Sequence, residues 1–195
     1  MKDVEIYVYI GLYNIVNNKI EILLKDNELL NEKMNSIENI DVFASKLLKK
    51  YIDISNLSLT QCHTYTKKSD NKLIIDILYI GIINDSVKML DYNCKFIDDI
   101  EYKYKEELLK YLRIEINKID ILKTLYKEFS LPELQYLLEN ILSIKIDRRN
   151  FRKRLIKLNV IEDLNKISNS KKGRPSKLYK FKDNIKLKIL FEEVI

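Results

Sequence analysis

Hydrophobic spacing changes along the chain and divides it in two. In the first part, Val4–Tyr13 and Ile20–Leu24 are β-branched and aromatic runs, separated by Asn17-Asn18, a hairpin-like pair. Leu57–Tyr65 and Leu73–Ile83 repeat the pattern on either side of a polar turn, Lys67-Lys68-Ser69-Asp70-Asn71. Between these strand pairs, Ile40, Phe43, Ala44, Leu47, Leu48 and Tyr51 recur at the three- and four-residue steps of an amphipathic helix. A further helix is predicted over Lys103–Arg113. Strands whose apolar faces need helices to cover them predict an α+β domain over residues 1–116, an antiparallel-rich sheet with helices packed on it.

The second part has a different rhythm. Asp120–Lys127 reads as a short helix. Ser130 then precedes Leu131-Pro132-Glu133, so an S-x-x-E capping box with proline in the first turn opens the next helix. Leu131, Leu134, Leu138 and Ile141 fall on one face of it. Asp147 is the N-cap expected for a third helix, Arg148–Leu158, and Val160–Leu164 and Ser176–Phe181 are β-prone. Two helices, a basic helix and a hairpin, in that order, predict a winged helix–turn–helix over residues 117–195.

Composition sharpens this division. Of 195 residues, 46% are hydrophobic and 33% charged, the balance of a soluble globular chain. No apolar run approaches the roughly 20 residues of a membrane span, and the opening residues lack the pattern of a signal peptide. Cys62 and Cys94 form no CxxC pair and His63 is the single histidine, so neither a metal site nor a cofactor is expected, and a reducing cytoplasm is the expected setting. The net charge of +6 is unevenly spread. From Tyr126 onward there are 17 Lys and Arg against 9 Asp and Glu, a net of +8, which leaves 18 against 20, a net of −2, in the first 125 residues. A basic module following a near-neutral one points to a polyanion as the partner of the second.

The basic helix is where that partner would sit. At about 100° per residue, Phe151, Leu155 and Leu158 cluster on its core side, while Arg149 and Lys153 lie nearly opposite, flanked by Asn150, Arg152, Ile156 and Lys157. Arg148 and Arg154 fall nearer the boundary, placed for phosphates rather than base edges. Arginine pairs bidentately with guanine and asparagine with adenine, so Arg149, Asn150 and Lys153 are the candidates for base readout. Such a row of like charges repels itself, which a polyanion would relieve. The candidate wing tip is Lys171-Lys172-Gly173-Arg174-Pro175-Ser176, where Gly173 permits a turn that presents its cations to phosphates or a minor groove.

Three segments, FSLPELQ, IDRRNFRKRLIKL and KKGRPSKLYKF, closely resemble the C-terminal winged helix of the Nudix-related transcriptional regulators of NAD metabolism. The resemblance is dense over residues 128–182 and looser across the first domain, where it implies a Nudix-like α/β/α sandwich. In that family a Nudix-like domain senses a nucleotide such as ADP-ribose, the winged helix binds double-stranded operator DNA, and the protein is a homodimer. Carried to matching positions, the DNA contacts fall on Arg148–Lys157 and on Lys172–Ser176.

The Nudix box, G-x5-E-x7-R-E-U-x-E-E-x-G-U, is eroded. With Glu38 as the first glutamate, Glu32 stands at the first glycine, Lys46 at the arginine and Leu47 at the next glutamate. Lys50 and Tyr51 take the metal-binding glutamates and Asp53 the last glycine, so only the apolar positions Leu48 and Ile54 survive. Hard divalent cations need clustered oxygen ligands, and a lysine ammonium stands where one would bind. The sequence therefore predicts no Nudix hydrolysis.

No residue set marks a ligand pocket. Tyr65, Tyr79 and His63 could stack on or bond a base, yet aromatic residues in strands more often serve the core, and Cys62 and Cys94 read as packed thiols. The leading reading is a ligand-responsive DNA-binding repressor with a catalytically inactive Nudix-like domain. The alternatives are a non-specific nucleic-acid-binding or interaction module and a Nudix nucleotide pyrophosphohydrolase.

Overall fold

A computed structural model describes residues 3–16, 19–54, 57–83, 87–97, 104–168, 175–183, 185 and 190–191. The chain divides into two compact units, residues 1–111 and 112–195. The first carries β1 (Asp3–Val16), β2 (Lys19–Lys25), β3 (Glu28–Lys33), α1 (Ile40–Lys49), β4 (Ile52–Asp53), β5 (Thr60–Ser69), β6 (Lys72–Ile83), β7 (Lys88–Met89) and β8 (Cys94–Ile97). The cut falls within α2 (Lys105–Ile116).

Six strands form a mixed sheet in the order β5-β6-β1-β3-β2-β8. The long β1 runs parallel to β6 from Asp3 to Asn14, and on its other edge pairs first with β3 and then with β2. Alternation along β1 decides what covers each face. Val8, Ile10 and Leu12 are fully buried in a core shared with Phe43, Ala44, Leu47 and Leu48 of α1. The opposite face belongs to α2: a Cβ on Gly11 would lie 3.1 Å from the Leu108 δ-carbons, so glycine lets that helix approach. Tyr9, on the same face, meets the Tyr104 ring edge-on at 5.4 Å. Two helices on two faces of one sheet make the α/β/α sandwich expected.

The expected elements are present with shifted edges. Helix α1 starts at Ile40, with the Asn39 side chain accepting from the Asp41 and Val42 amides. Strand β3 was not foreseen; it follows a two-residue turn in which Asp26 (φ 51°) and Asn27 (φ 67°) are both left-handed, a hairpin conformation their short polar side chains tolerate. Strand β5 begins at Thr60 rather than Leu57 and runs on to Ser69, which reduces the predicted five-residue turn to Asp70-Asn71. Lys67 and Lys68 are therefore exposed on an edge strand, where lysines discourage pairing with another chain. Asn17-Asn18 lie outside the described residues, though Val16 and Lys19 on either side pair with each other. The helix predicted from Lys103 begins at Lys105 and extends to Ile116; Lys103 itself is not described.

The second unit continues with α3 (Ile119–Leu125), β9 (Phe129–Ser130), α4 (Leu131–Leu142), α5 (Arg148–Lys157), β10 (Ile161–Ile167) and β11 (Lys177–Phe181). The three strands pair in the order β10-β11-β9. The capping box forms as read: the Ser130 amide donates to Glu133 Oε2 at 2.8 Å and the Glu133 amide to Ser130 Oγ at 3.4 Å. Leu134, Leu137 and Leu138 of α4 are buried, as are Phe151 and Leu155 of α5. Phe129 and Phe181 close the sheet side with ring centroids 4.7 Å apart. Leu131, expected on the apolar face, is only half-buried, and Leu137 serves there instead. Among the described residues no helix is long and apolar enough to cross a membrane.

Candidate nucleic-acid interface

Helix α5 is held from behind and left open in front. Phe151 and Leu155 anchor it in the core, and the Asp147 carboxylate caps it by accepting from the Asn150 amide at 2.8 Å. That bond uses only the Asn150 backbone. Arg148, Arg149, Asn150, Arg152, Lys153 and Lys157 are all exposed. None of the five cations among them has an ion-pair partner within the described residues. Leu158, expected in the core, is the half-buried C-cap.

The turn into α5 is fixed by one carboxylate. Glu139 Oε1 accepts from the Ile146 amide at 2.8 Å and from Gln135 Nε2 at 3.1 Å, and Gln135 also donates to the Ile146 carbonyl at 2.9 Å. These bonds, the Ile146 amide foremost, hold the Glu139 carboxyl below its ordinary pKa. Ser143 closes α4 in the left-handed region (φ 55°), and Arg113 Nε donates to the Ile141 carbonyl at 3.2 Å, a cation at a helix C-terminus.

Arg154 does not face a phosphate, as its boundary position had suggested. Its Nε donates to the Leu190 carbonyl at 2.8 Å, and its guanidinium lies 5.3 Å from the centre of the Phe191 ring. Phe191 in turn stacks near-parallel to Phe151, and its amide donates to Asn117 Oδ1 at 2.8 Å. Residues 190–191 thus form a strap behind the basic helix. Nothing in the periodicity of α5 distinguishes a boundary arginine that grips carbonyls from one that grips phosphates.

The hairpin stem leads to the candidate wing. The Ser168 amide donates to the Ser176 carbonyl at 2.8 Å, and the Ser176 amide to Ser168 Oγ at 3.1 Å. Pro175 is exposed and Ser176 half-buried at the base of the tip. Lys171, Lys172, Gly173 and Arg174 lie outside the described residues. Stem lysines are neutralised: Lys177 pairs with Asp163 at 2.8 Å, Lys180 with Glu162 at 3.5 Å, and Lys166 with Glu128 at 2.7 Å. The Lys177 bond is also the main reason the Asp163 carboxyl titrates low. Among the described residues, the compensated stem and the helix without ion pairs single out α5 as the face short of counter-charge.

In the first unit the eroded box is filled with internal ion pairs. Lys46 Nζ lies 2.7 Å from Glu38 Oε2, and Lys50 pairs with Glu32. These donors do not fit a divalent cation: the ammonium of Lys50 already satisfies the nearby carboxylate. Among the described residues, no cluster of three or more His, Cys, Asp or Glu is arranged to hold a metal. Tyr79 is 1% exposed, and its hydroxyl bonds Asp41 Oδ1 at 2.5 Å, tying the sheet to the first turn of α1. Tyr65 stacks on Tyr104 at 4.8 Å, and His63 packs against Tyr65 at 4.4 Å. Cys62 and Cys94 are buried free thiols, and burial pushes the Cys94 pKa up to about 11.

Comparison with known proteins agrees with this division of labour. Residues 121–181 match the family model of the NrtR DNA-binding winged helix domain. No curated protein sequence matches the chain. Among solved structures, NrtR of Shewanella oneidensis is similar over 95% of this chain and 98% of its own, with 17% identity and a TM-score of 0.70. The same protein complexed with a 27mer DNA is similar over 91% and 93%, also at 17% identity, with a TM-score of 0.69. Residues 121–181 therefore match the NrtR DNA-binding winged helix model, on a chain that is similar in fold to NrtR.

Proposed function

We propose that the protein is a transcriptional regulator that binds operator DNA through α5 and the hairpin that follows it. The observation carrying this reading is the row of five exposed cations, without an ion-pair partner among the described residues, on a helix whose other side is locked into the core. A solvated helix with no polyanion to meet gains nothing from such a row and loses stability through repulsion. Arg149, Asn150 and Lys153 read bases, Arg148, Arg152 and Lys157 hold phosphates, and Lys171, Lys172, Gly173, Arg174, Pro175 and Ser176 form the wing. The first unit, residues 1–116 in the sequence division, serves as the sensor and dimerisation domain, and a nucleotide such as ADP-ribose is its effector. The protein is a cytoplasmic homodimeric repressor of genes of NAD metabolism, and it is not a Nudix hydrolase, because Lys50 and Tyr51 replace the metal-binding carboxylates.

Fluorescence anisotropy against duplex from the gene's own upstream region and a shuffled control, each with and without ADP-ribose, tests this reading. Selective binding that ADP-ribose weakens is expected. Equal affinity for the two duplexes would overturn specific regulation, and turnover of ADP-ribose with Mg²⁺ above a protein-free blank would overturn the inactive assignment.

A further inference from the structure

A cleft of about 130 Å³ opens where three elements of the second unit converge. Pro132 and Gln135 at the start of α4, Arg148 and Arg152 on the first turns of α5, and Ser176 and Lys177 at the head of the hairpin line it, over a floor that includes the buried Phe151. Pockets for whole small-molecule ligands run to roughly 300–1,000 Å³, so this one fits a single small group rather than a nucleotide. Its electrostatics select the group. Asp163 pairs with Lys177 and lies within electrostatic reach of Arg152, so one carboxylate faces three cations, and Arg148 has no ion-pair partner among the described residues. The lining therefore holds a surplus of positive charge above an apolar floor, and its cationic donors are two guanidiniums and an ammonium. That donor set suits a tetrahedral oxyanion.

We propose that this cleft seats one phosphate of the DNA backbone, and that Arg148, Arg152 and Lys177 thereby fix the depth at which α5 enters the groove. The inference rests on the DNA-binding reading and deepens it. Lys177, which sequence reasoning passed over, becomes part of the interface. Arg148 and Arg152 contribute register rather than base selectivity. Because α4, α5 and the hairpin each supply a wall, the seated phosphate also holds the three in one arrangement.

A chemical double-mutant cycle tests it. Single phosphates of the upstream duplex are replaced in turn by neutral methylphosphonates, and affinity is read by anisotropy for wild type, Arg152→Ala and Lys177→Ala. One position per bound protomer is expected at which neutralisation weakens wild type about tenfold, as loss of a charged hydrogen bond does, and weakens either variant much less. Lys177→Arg should restore wild-type behaviour, which a merely distorted stem would not. On shuffled duplex Arg152→Ala should lower the slope of log K against log salt by about 0.9. Additive losses at every phosphate together with an unchanged slope would overturn the cleft while leaving DNA binding intact. A thermal shift with inorganic phosphate that Arg152→Ala abolishes, without coupling to any backbone position, would assign the cleft to a free anion and also overturn it. No duplex binding at all would remove both readings.

Discussion

Replacing Arg149 and Lys153 together by alanine should weaken DNA binding while leaving the fold as stable as before or more so. The two stand one helical turn apart on the open face of α5, both exposed, and neither has an ion-pair partner among the described residues. A like-charge pair at this spacing destabilises a helix by roughly 0.2–0.5 kcal/mol, and alanine is at least as good a helix former as either. For a domain of this size that gain corresponds to about 1–4 °C in Tm. On DNA the sign reverses. A base contact of about 1–3 kcal/mol makes Arg149→Ala alone cost roughly 5- to 150-fold on operator. If both residues also neutralise phosphates, the double variant lowers the log–log salt slope by about 1.8 per bound protomer. Thermal melts and anisotropy at low and moderate salt measure the two halves. A Tm that falls by several degrees would refute the reasoning, since these cations would then be holding the fold together. Equal losses on operator and shuffled duplex would refute their role as base readers.

Phe151→Ala should cost about 3–5 kcal/mol, because the ring is 2% exposed and stacks on Phe191; urea denaturation measures it, and a loss below about 1 kcal/mol would contradict the packing. Glu139→Ala removes the acceptor of the Ile146 amide and should cost roughly 1–3 kcal/mol, with operator affinity falling as α5 loses its fixed entry from the turn. Glu139→Gln, which keeps an acceptor oxygen, should recover part of both losses. The Lys33 and Lys72 ammonium groups hold the Glu5 carboxyl at about 2, against an ordinary 4.5. A lowered folded-state pKa stabilises fully above the ordinary value and loses that contribution as pH falls toward 2. The melting difference between wild type and Glu5→Gln should therefore shrink between about pH 5 and pH 2, and a constant difference would count against the triad.

The DNA-binding half was the more legible because its signals are local. The Ser130–Glu133 capping box and the Asp147 cap each sit within four residues of what they fix, and the core face of α5 follows from Phe151 and Leu155 alone. What eluded the sequence depends on distant partners. Arg154 and Arg152 are alike as residues, yet one grips the Leu190 carbonyl and the other faces the cleft. Strand β3 was missed because its polar Glu32 and Lys33 mask the alternation, although Asp26-Asn27 was a usable turn signal for two left-handed residues. The early end assigned to β5 has the same origin: an edge strand needs few apolar residues, so its lysines read as a turn. The eroded box was legible as an absence of carboxylates, but the Lys50–Glu32 pair that replaces them spans 18 residues and could be read only from the fold.

The strap behind α5 also has a kinetic consequence. Its bond between Asn117 and Phe191 closes a separation of 74 residues, whereas Gln135 and Ile146 at the helix turn are 11 apart. Loop-closure entropy makes the longer contact costlier by roughly 1.7 kcal/mol. The helix turn can therefore organise early, and the strap closes only once the rest of the module has brought its ends together. On unfolding the order reverses, so the Leu190 and Phe191 amides, which donate to Asn117, should exchange their hydrogens ahead of those in α4, and Arg154 should lose its grip before Phe151 leaves the core.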